Sequence, residues 1–180
     1  DFIQDFDGRL DPDWDDAFRP SKIGLDEQFG SDGQSSISVK QSRFGVKGTM
    51  PTGEGTAPLS FKFEFDLFGT GVDAGQTTMR LRHFYGEWGQ VLAGQTHSLF
   101  MDIDVFPNTI DYWGPAGMVF VRNPQLRITP WSKDGMGIAF ALEAPNSALD
   151  TGKISDISPD FGAGFEGWNR LPDLTGSFRV

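Results

Sequence analysis

The chain has 180 residues, with 25 Asp and Glu against 15 Lys and Arg and a formal net charge of -10. This length suits one domain of ordinary size, the acidity argues against a nucleic-acid partner, and Cys 0 excludes a disulfide scaffold and a cysteine metal site. No run reaches the roughly 18 apolar residues of a membrane helix, while Phe 17, Gly 23 and 13% aromatic residues point to an ordered, strand-leaning chain.

In chain order, residues 1–7 already alternate like a strand and are followed by a long acidic stretch at 9–34. Residues 36–47 place Phe44 and Val46 opposite Arg43 and Lys47. After a Pro/Gly turn at 50–57 comes the strongest signal, residues 59–68. Leu59, Phe61, Phe63, Phe65 and Leu67 fall on one face, and Ser60, Lys62, Glu64 and Asp66 on the other. A period of two describes a strand with one apolar and one charged face. Beyond Gly69–Gly75, residues 76–88 place Met79, Leu81, His83 and Tyr85 against Thr78, Arg80, Arg82 and Phe84. Residues 90–98 form a weaker strand, followed by a long insert at 99–119. Residues 123–131 set Pro124, Leu126, Ile128 and Pro130 against Asn123, Gln125, Arg127 and Thr129. A Ser132–Gly135 turn leads to 136–143, with Met136, Ile138, Phe140 and Leu142 on one side and Gly137, Ala139, Ala141 and Glu143 on the other. A long stretch at 144–168 precedes a last strand at 169–180. The expectation is an all-β antiparallel meander of about eight strands, with long joins at 9–34, 99–119 and 144–168 on one rim and short turns on the other. Both ends read as strand, which points to a piece of a longer chain.

Alternation alone leaves two readings open. In a soluble sandwich the apolar face turns inward; in an outer-membrane barrel it faces lipid and the polar face lines a wet lumen. Aromatic residues near strand ends (Phe68, Tyr85, Trp88, Trp131, Trp168) and a persistently charged polar face favour the barrel. Residues 1–33 carry ten acids and three bases, whereas the strands carry ten Lys and Arg against five acids. By parity Arg43, Lys47, Lys62, Arg80, Arg82, Arg127 and Arg179 lie on the polar face with Glu64, Asp66 and Gln125. Converging guanidinium groups in a confined channel attract carboxylate or phosphate. The plainer reading of each cation is a solvated side chain paired off by Glu64 or Asp66.

Other motifs are weaker. Asp11-Pro-Asp13-Trp-Asp15-Asp16 opens like a calcium loop but has Asp16 where Gly is needed and Lys22 in place of the twelfth-position Glu, so it reads as an exposed acidic loop. His97 and Ser98 are neighbours and point to opposite faces, against a catalytic pair. Gly69–Gly75 lacks the Gly-Lys-Ser/Thr of a phosphate loop. No catalytic residue, metal site or cofactor is expected.

Several blocks are similar to one family: Arg9-Leu-Asp-Pro-Asp-Trp-Asp-Asp-Ala-Phe-Arg-Pro-Ser-Lys-Ile23, Gln41-Ser-Arg-Phe-Gly-Val-Lys47, Phe63-Glu-Phe-Asp-Leu-Phe-Gly69, Arg80-Leu-Arg-His-Phe-Tyr-Gly-Glu-Trp88, and the run from Ala93-Gly-Gln-Thr-His-Ser98 through Met101-Asp-Ile-Asp-Val-Phe-Pro-Asn108 to Tyr112-Trp-Gly-Pro115. In this order they resemble the DcaP-like outer-membrane porins of Gram-negative bacteria, most weakly over 145–180. The resemblance implies an outer-membrane homotrimer of barrels of about 16 strands, passively passing small anions such as dicarboxylates. Residues 1–180 would then be one partial barrel domain, roughly the N-terminal half. It also implies that the third outer loop, here 99–119, folds into the lumen as a constriction. Asp102, Asp104 and Asp111 would then oppose the arginine wall; outside the lumen they would be ordinary loop acids. The alternatives are a soluble carbohydrate-binding β-sandwich and a complete eight-stranded membrane barrel serving as an adhesin or enzyme.

Overall fold

The computed structural model describes residues 2–7, 9, 25–28, 33–69, 71–73, 76–106, 119–145 and 171–180. Most of the stretches at 9–34, 107–118 and 146–170 fall outside these residues, and with them Asp11–Asp16, Asp111 and Trp168.

Among the described residues nine strands run in chain order: β1 (Phe2–Asp5), β2 (Gln34–Ile37), β3 (Arg43–Met50), β4 (Leu59–Asp66), β5 (Arg80–Trp88), β6 (Val91–His97), β7 (Arg122–Lys133), β8 (Met136–Glu143) and β9 (Asp173–Arg179). Strands β3 to β9 form one antiparallel sheet in sequential order, a pure meander with β3 and β9 at its edges. Short turns join β3 to β4, β5 to β6 and β7 to β8, so the longer joins all leave from the opposite rim.

The opening strand is not part of that sheet. β1 pairs with β2, from Phe2 opposite Ile37 to Asp5 opposite Gln34. The expected strand at 36–47 is broken by a turn, in which the Ser42 N–H donates to the Val39 carbonyl (2.9 Å) and the Lys40 N–H to Ser38 Oγ (3.0 Å). Ladder bonding resumes at Arg43 and continues to Met50.

The two faces of the sheet are clear in β4. Phe65 lies opposite Phe44, and Phe63 opposite Val46 and Phe84. The rings form a ladder, with Phe44 stacked on Phe65 (5.5 Å) and Phe63 edge-on to Phe84 (6.0 Å). Among the described residues nothing packs over this ladder: Phe84 is 63% exposed and Phe61 45%. The opposite face is the enclosed one, where Asp66 and Glu143 are 2% exposed and Arg82 5%. A soluble sandwich has the reverse arrangement, because charges are left in water and Phe side chains are removed from it. Apolar outside and polar inside is the order of a sheet that meets lipid.

One bulge changes the predicted face of three side chains. Glu64 pairs with His83 and Phe65 with Leu81, which leaves Arg82 as the extra residue. Beyond it the parity of β5 inverts. His83 and Tyr85, expected on the apolar face, stand on the polar one, and Phe84 moves to the lipid-type face. The freed Leu81 carbonyl accepts from Gln95 Nε2 (3.1 Å). A second irregularity, between Ile128 and Trp131, contains Pro130, which has no N–H to give a ladder. Of the predicted strand-end aromatics, Trp88 and Trp131 are exposed at the short-turn rim. Phe68 is instead buried at the other rim, with the Arg80 guanidinium 4.9 Å from its ring centre.

Gly94 permits the closest strand approach. Its φ is 126°, and a Cβ there would run into the Phe84 carbonyl oxygen and Tyr85 Cα on β5. Gly94→Ala is therefore expected to destabilise the folded protein by roughly 1–3 kcal/mol through backbone strain. The thermal transition of the full-length protein in detergent reads this directly, and an unchanged midpoint would count against the β5–β6 register.

Candidate functional site: the polar face

The polar face is built from three groups of side chains. The first spans β3 to β5. Asp66 closes β4, and the register sets Arg80 and Arg43 on either side of it. Arg80 holds it with two bonds, Nε to Oδ1 (2.9 Å) and Nη2 to Oδ2 (2.7 Å). Arg82, displaced by the bulge, reaches both acids: Nη1 to Asp66 Oδ2 (3.0 Å) and Nε to Glu64 Oε1 (2.8 Å). Lys62 Nζ lies 3.0 Å from Glu64 Oε2. Arg80, Arg82 and Lys62 are thus on the predicted face but engaged by carboxylates. Arg43 and Lys47 also lie on this face, and among the described residues neither has a carboxylate in ion-pair reach.

The second group joins β5, β6 and β7. His83 Nδ1 and Thr96 Oγ1 are 3.0 Å apart, and the His83 and His97 rings meet edge-on at 4.7 Å. Gln125 Nε2 donates to the His97 carbonyl (3.0 Å), and its Oε1 accepts from Arg127 Nε (2.9 Å). Arg127 Nη2 also donates to the His97 carbonyl (2.6 Å). Arg127 is therefore fixed by neutral oxygens, which orient it, and among the described residues no carboxylate is in ion-pair reach of it. At the rim the Arg122 guanidinium lies 4.9 Å from the Phe120 ring centre, with Nη1 buried and without a hydrogen-bond partner among the described residues.

The third group centres on Glu143 of β8. One oxygen, Oε1, accepts from the Leu99 N–H (3.0 Å) and the Thr175 hydroxyl (2.6 Å), and Oε2 accepts from Asn123 Nδ2 (3.4 Å). This buried carboxylate ties β7, β9 and the root of the insert together through neutral donors. The insert then crosses to Arg179 on β9, whose Nη2 meets Asp102 Oδ1 (2.6 Å) and whose Nη1 meets Asp104 Oδ2 (2.5 Å). Ile103–Val105 forms a single 3-10 turn capped by Asp102, which accepts from the Asp104 N–H (3.0 Å). The Arg179 guanidinium, with this N–H, holds the Asp102 carboxyl below its ordinary range. Because that pKa is depressed, the contact is fully present above the usual carboxylate range and is lost as pH falls through the lowered value.

The ten strand residues predicted for a pore wall (Arg43, Lys47, Lys62, Glu64, Asp66, Arg80, Arg82, Gln125, Arg127 and Arg179) therefore share one face of the sheet. Asp102 and Asp104 lie against that face. The histidine pair was missed because the bulge at Arg82 sets it. Glu143 was missed as a site residue, although the small residues preceding it on its face (Gly137, Ala139, Ala141) mark the place where another segment lies close.

The chain was compared with known proteins. The family described as DcaP outer membrane protein matches residues 3–154. The crystal structure of the outer membrane channel DcaP of Acinetobacter baumannii superposes with a TM-score of 0.68 at 23% identity, over 97% of this chain and 45% of that one. The chain thus spans about half the length of that channel. Among the curated proteins none matches.

Proposed function

As the chain belongs to the DcaP outer membrane protein family, an outer-membrane protein family, we propose that residues 1–180 form one partial barrel domain, about half the wall of a porin-type channel that passes small anions, dicarboxylates among them, as one subunit of a homotrimer. The observation that carries this reading is the reversed sheet: aromatic residues exposed on one face, arginines and carboxylates enclosed on the other. Such a sheet is stable where its outer face meets lipid and its inner face meets a water-filled lumen.

Charge placement supports the anion preference. On β3 to β5 the cations Arg43, Lys47, Lys62, Arg80 and Arg82 outnumber Glu64, Asp66 and Glu87. In the sequence of β8, β9 and the insert, Glu143, Asp173, Asp102, Asp104 and Asp111 stand against Arg179 as the one cation. The lumen is then crossed by a field with its positive side on β3 to β5. Low-dielectric walls focus that field, so an anion is drawn along Arg43 and Lys47, and toward the oriented Arg127, while paired Arg80 and Arg82 act mainly as structure. The acidic outer residues contribute less, since salt screens them within about 8 Å.

In planar bilayers with a KCl gradient, the full-length protein is expected to give a reversal potential on the anion side. The double change Arg43→Gln and Lys47→Gln should move it toward the cation side and slow a dicarboxylate more than a neutral sugar. Cation preference in the unmutated channel would discard this mechanism.

A further inference from the structure

The described start of the join between β6 and β7, residues 98–106, lies against the polar face, and its attachments differ in kind. At its root the Leu99 N–H is fixed to buried Glu143. In the β8–β9 ladder Glu143 stands opposite Asp173 and Arg179 opposite Gly137, six residues further along. That is about 20 Å of strand. The contact of Asp102 and Asp104 with Arg179 thus draws the insert down the face rather than outward. On the stretch of this face between Glu143 and Arg179 the side chains are small: Gly137, Ala139 and Ala141 on β8 and Ser177 on β9, with both alanines buried. At its far end Phe106 packs on Phe120 (6.0 Å), which in turn packs on His97 at the end of β6.

We propose that Arg179 is a positioning residue, whose guanidinium, gripping Asp102 and Asp104 together, latches the insert to β9 and sets how far it narrows the lumen. This rests on the channel reading above. Two acids two residues apart, turned to one side by the 3-10 turn at Ile103–Val105, present one oxygen to each of two guanidinium nitrogens. A planar fork suits this arrangement, and a lysine point charge does not. The two anchors also respond differently to conditions. Glu143 is buried among neutral donors, whereas the Arg179, Asp102 and Asp104 side chains are about half exposed, so salt weakens this grip. With the latch open, the insert is still held at Leu99 and by the packing of Phe106 on Phe120, and the segment between these two points is released from β9. The same latch withdraws Arg179 from contact with solutes.

The test compares Arg179→Gln, the pair Asp102→Asn with Asp104→Asn, and all three together in the full-length protein. A latch predicts that the first two change single-channel conductance in the same direction, replacing one uniform step by several levels, and that the triple variant adds nothing further. A free Arg179 acting on solutes predicts opposite and additive shifts in reversal potential at unchanged conductance, which would overturn the proposal, as would no effect at all. Hydrogen exchange at the Asp104 and Phe106 amides separates this from the channel reading. It should speed up in all three variants whether or not bilayers record channels, and unchanged protection in a correctly folded variant would reject the latch. A wild-type protein that inserts but does not conduct, with the exchange result intact, would remove the channel reading and leave the latch in place.

Discussion

Phe63→Arg in the full-length protein is expected to block membrane assembly. Phe63 sits in the middle of β4 on the exposed aromatic ladder, between Phe44 with Phe65 on one side and Phe84 on the other. On a lipid-facing strand a midplane arginine costs roughly 2–4 kcal/mol, and the loss of ring contacts adds to it. The adjacent change Lys62→Ser falls on the polar face, removes one partly exposed ion pair with Glu64, and should leave assembly intact. Fractionation of outer membranes distinguishes the two variants. Equal tolerance of both would contradict the assignment of the faces.

The second large effect is expected at Asp66. Its carboxylate is the shared partner of Arg80 and Arg82, and it also accepts from the Phe68 N–H (3.2 Å). Asp66→Ala leaves two guanidinium groups facing one another across an enclosed site. Removing one partner of a buried ion cluster typically costs about 3–5 kcal/mol, more than the intact cluster contributes relative to apolar residues. Asp66→Asn keeps part of the hydrogen bonding and should be milder. The thermal transition of the full-length protein in detergent should fall in the order wild type, Asn, Ala. A midpoint for the alanine variant equal to wild type would mean that Arg80 and Arg82 are supported by other groups.

The sheet was legible where one residue type repeats at a period of two. From Leu59 onward every alternate residue is apolar, and the observed strand begins at Leu59 as expected but ends at Asp66, two residues short of the expected 68. The same holds for Met136–Glu143. What failed was local and had a physical cause. The bulge at Arg82 inserts a residue without any Gly or Pro to mark it, and it inverts the faces of His83, Phe84 and Tyr85. The side chain of Arg82 bridges Glu64 and Asp66 from that position, a contact with the neighbouring strand that the alternation of β5 does not encode. The break at Val39–Ser42 depends on a Ser38 hydroxyl competing for a backbone N–H, in a stretch whose composition still suits a strand. The strand cations share one face of the sheet, as parity suggests, and the pairing of Arg80 and Arg82 with Asp66 and Glu64 follows from register, which parity within one strand does not supply. The insert was harder still. Arg179 meets Asp102 and Asp104 across 77 and 75 residues of chain, a distance at which no local pattern carries information. The resemblance implies a loop at 99–119 that enters the lumen; the contact of Asp102 and Asp104 with Arg179 depends on the β8–β9 register, which the sequence pattern does not give.

A sheet whose aromatic face meets lipid and whose arginine face meets water exposes its two faces to different reagents. The sequence has no cysteine, so single cysteines report without background. In the full-length protein in membranes, Cys at 47 and 62 should react with a membrane-impermeant maleimide, and Cys at 44, 61 and 84 only with a lipid-soluble one. Labelling of 44, 61 and 84 from water, with 47 and 62 protected, would mean that the sheet is turned the other way.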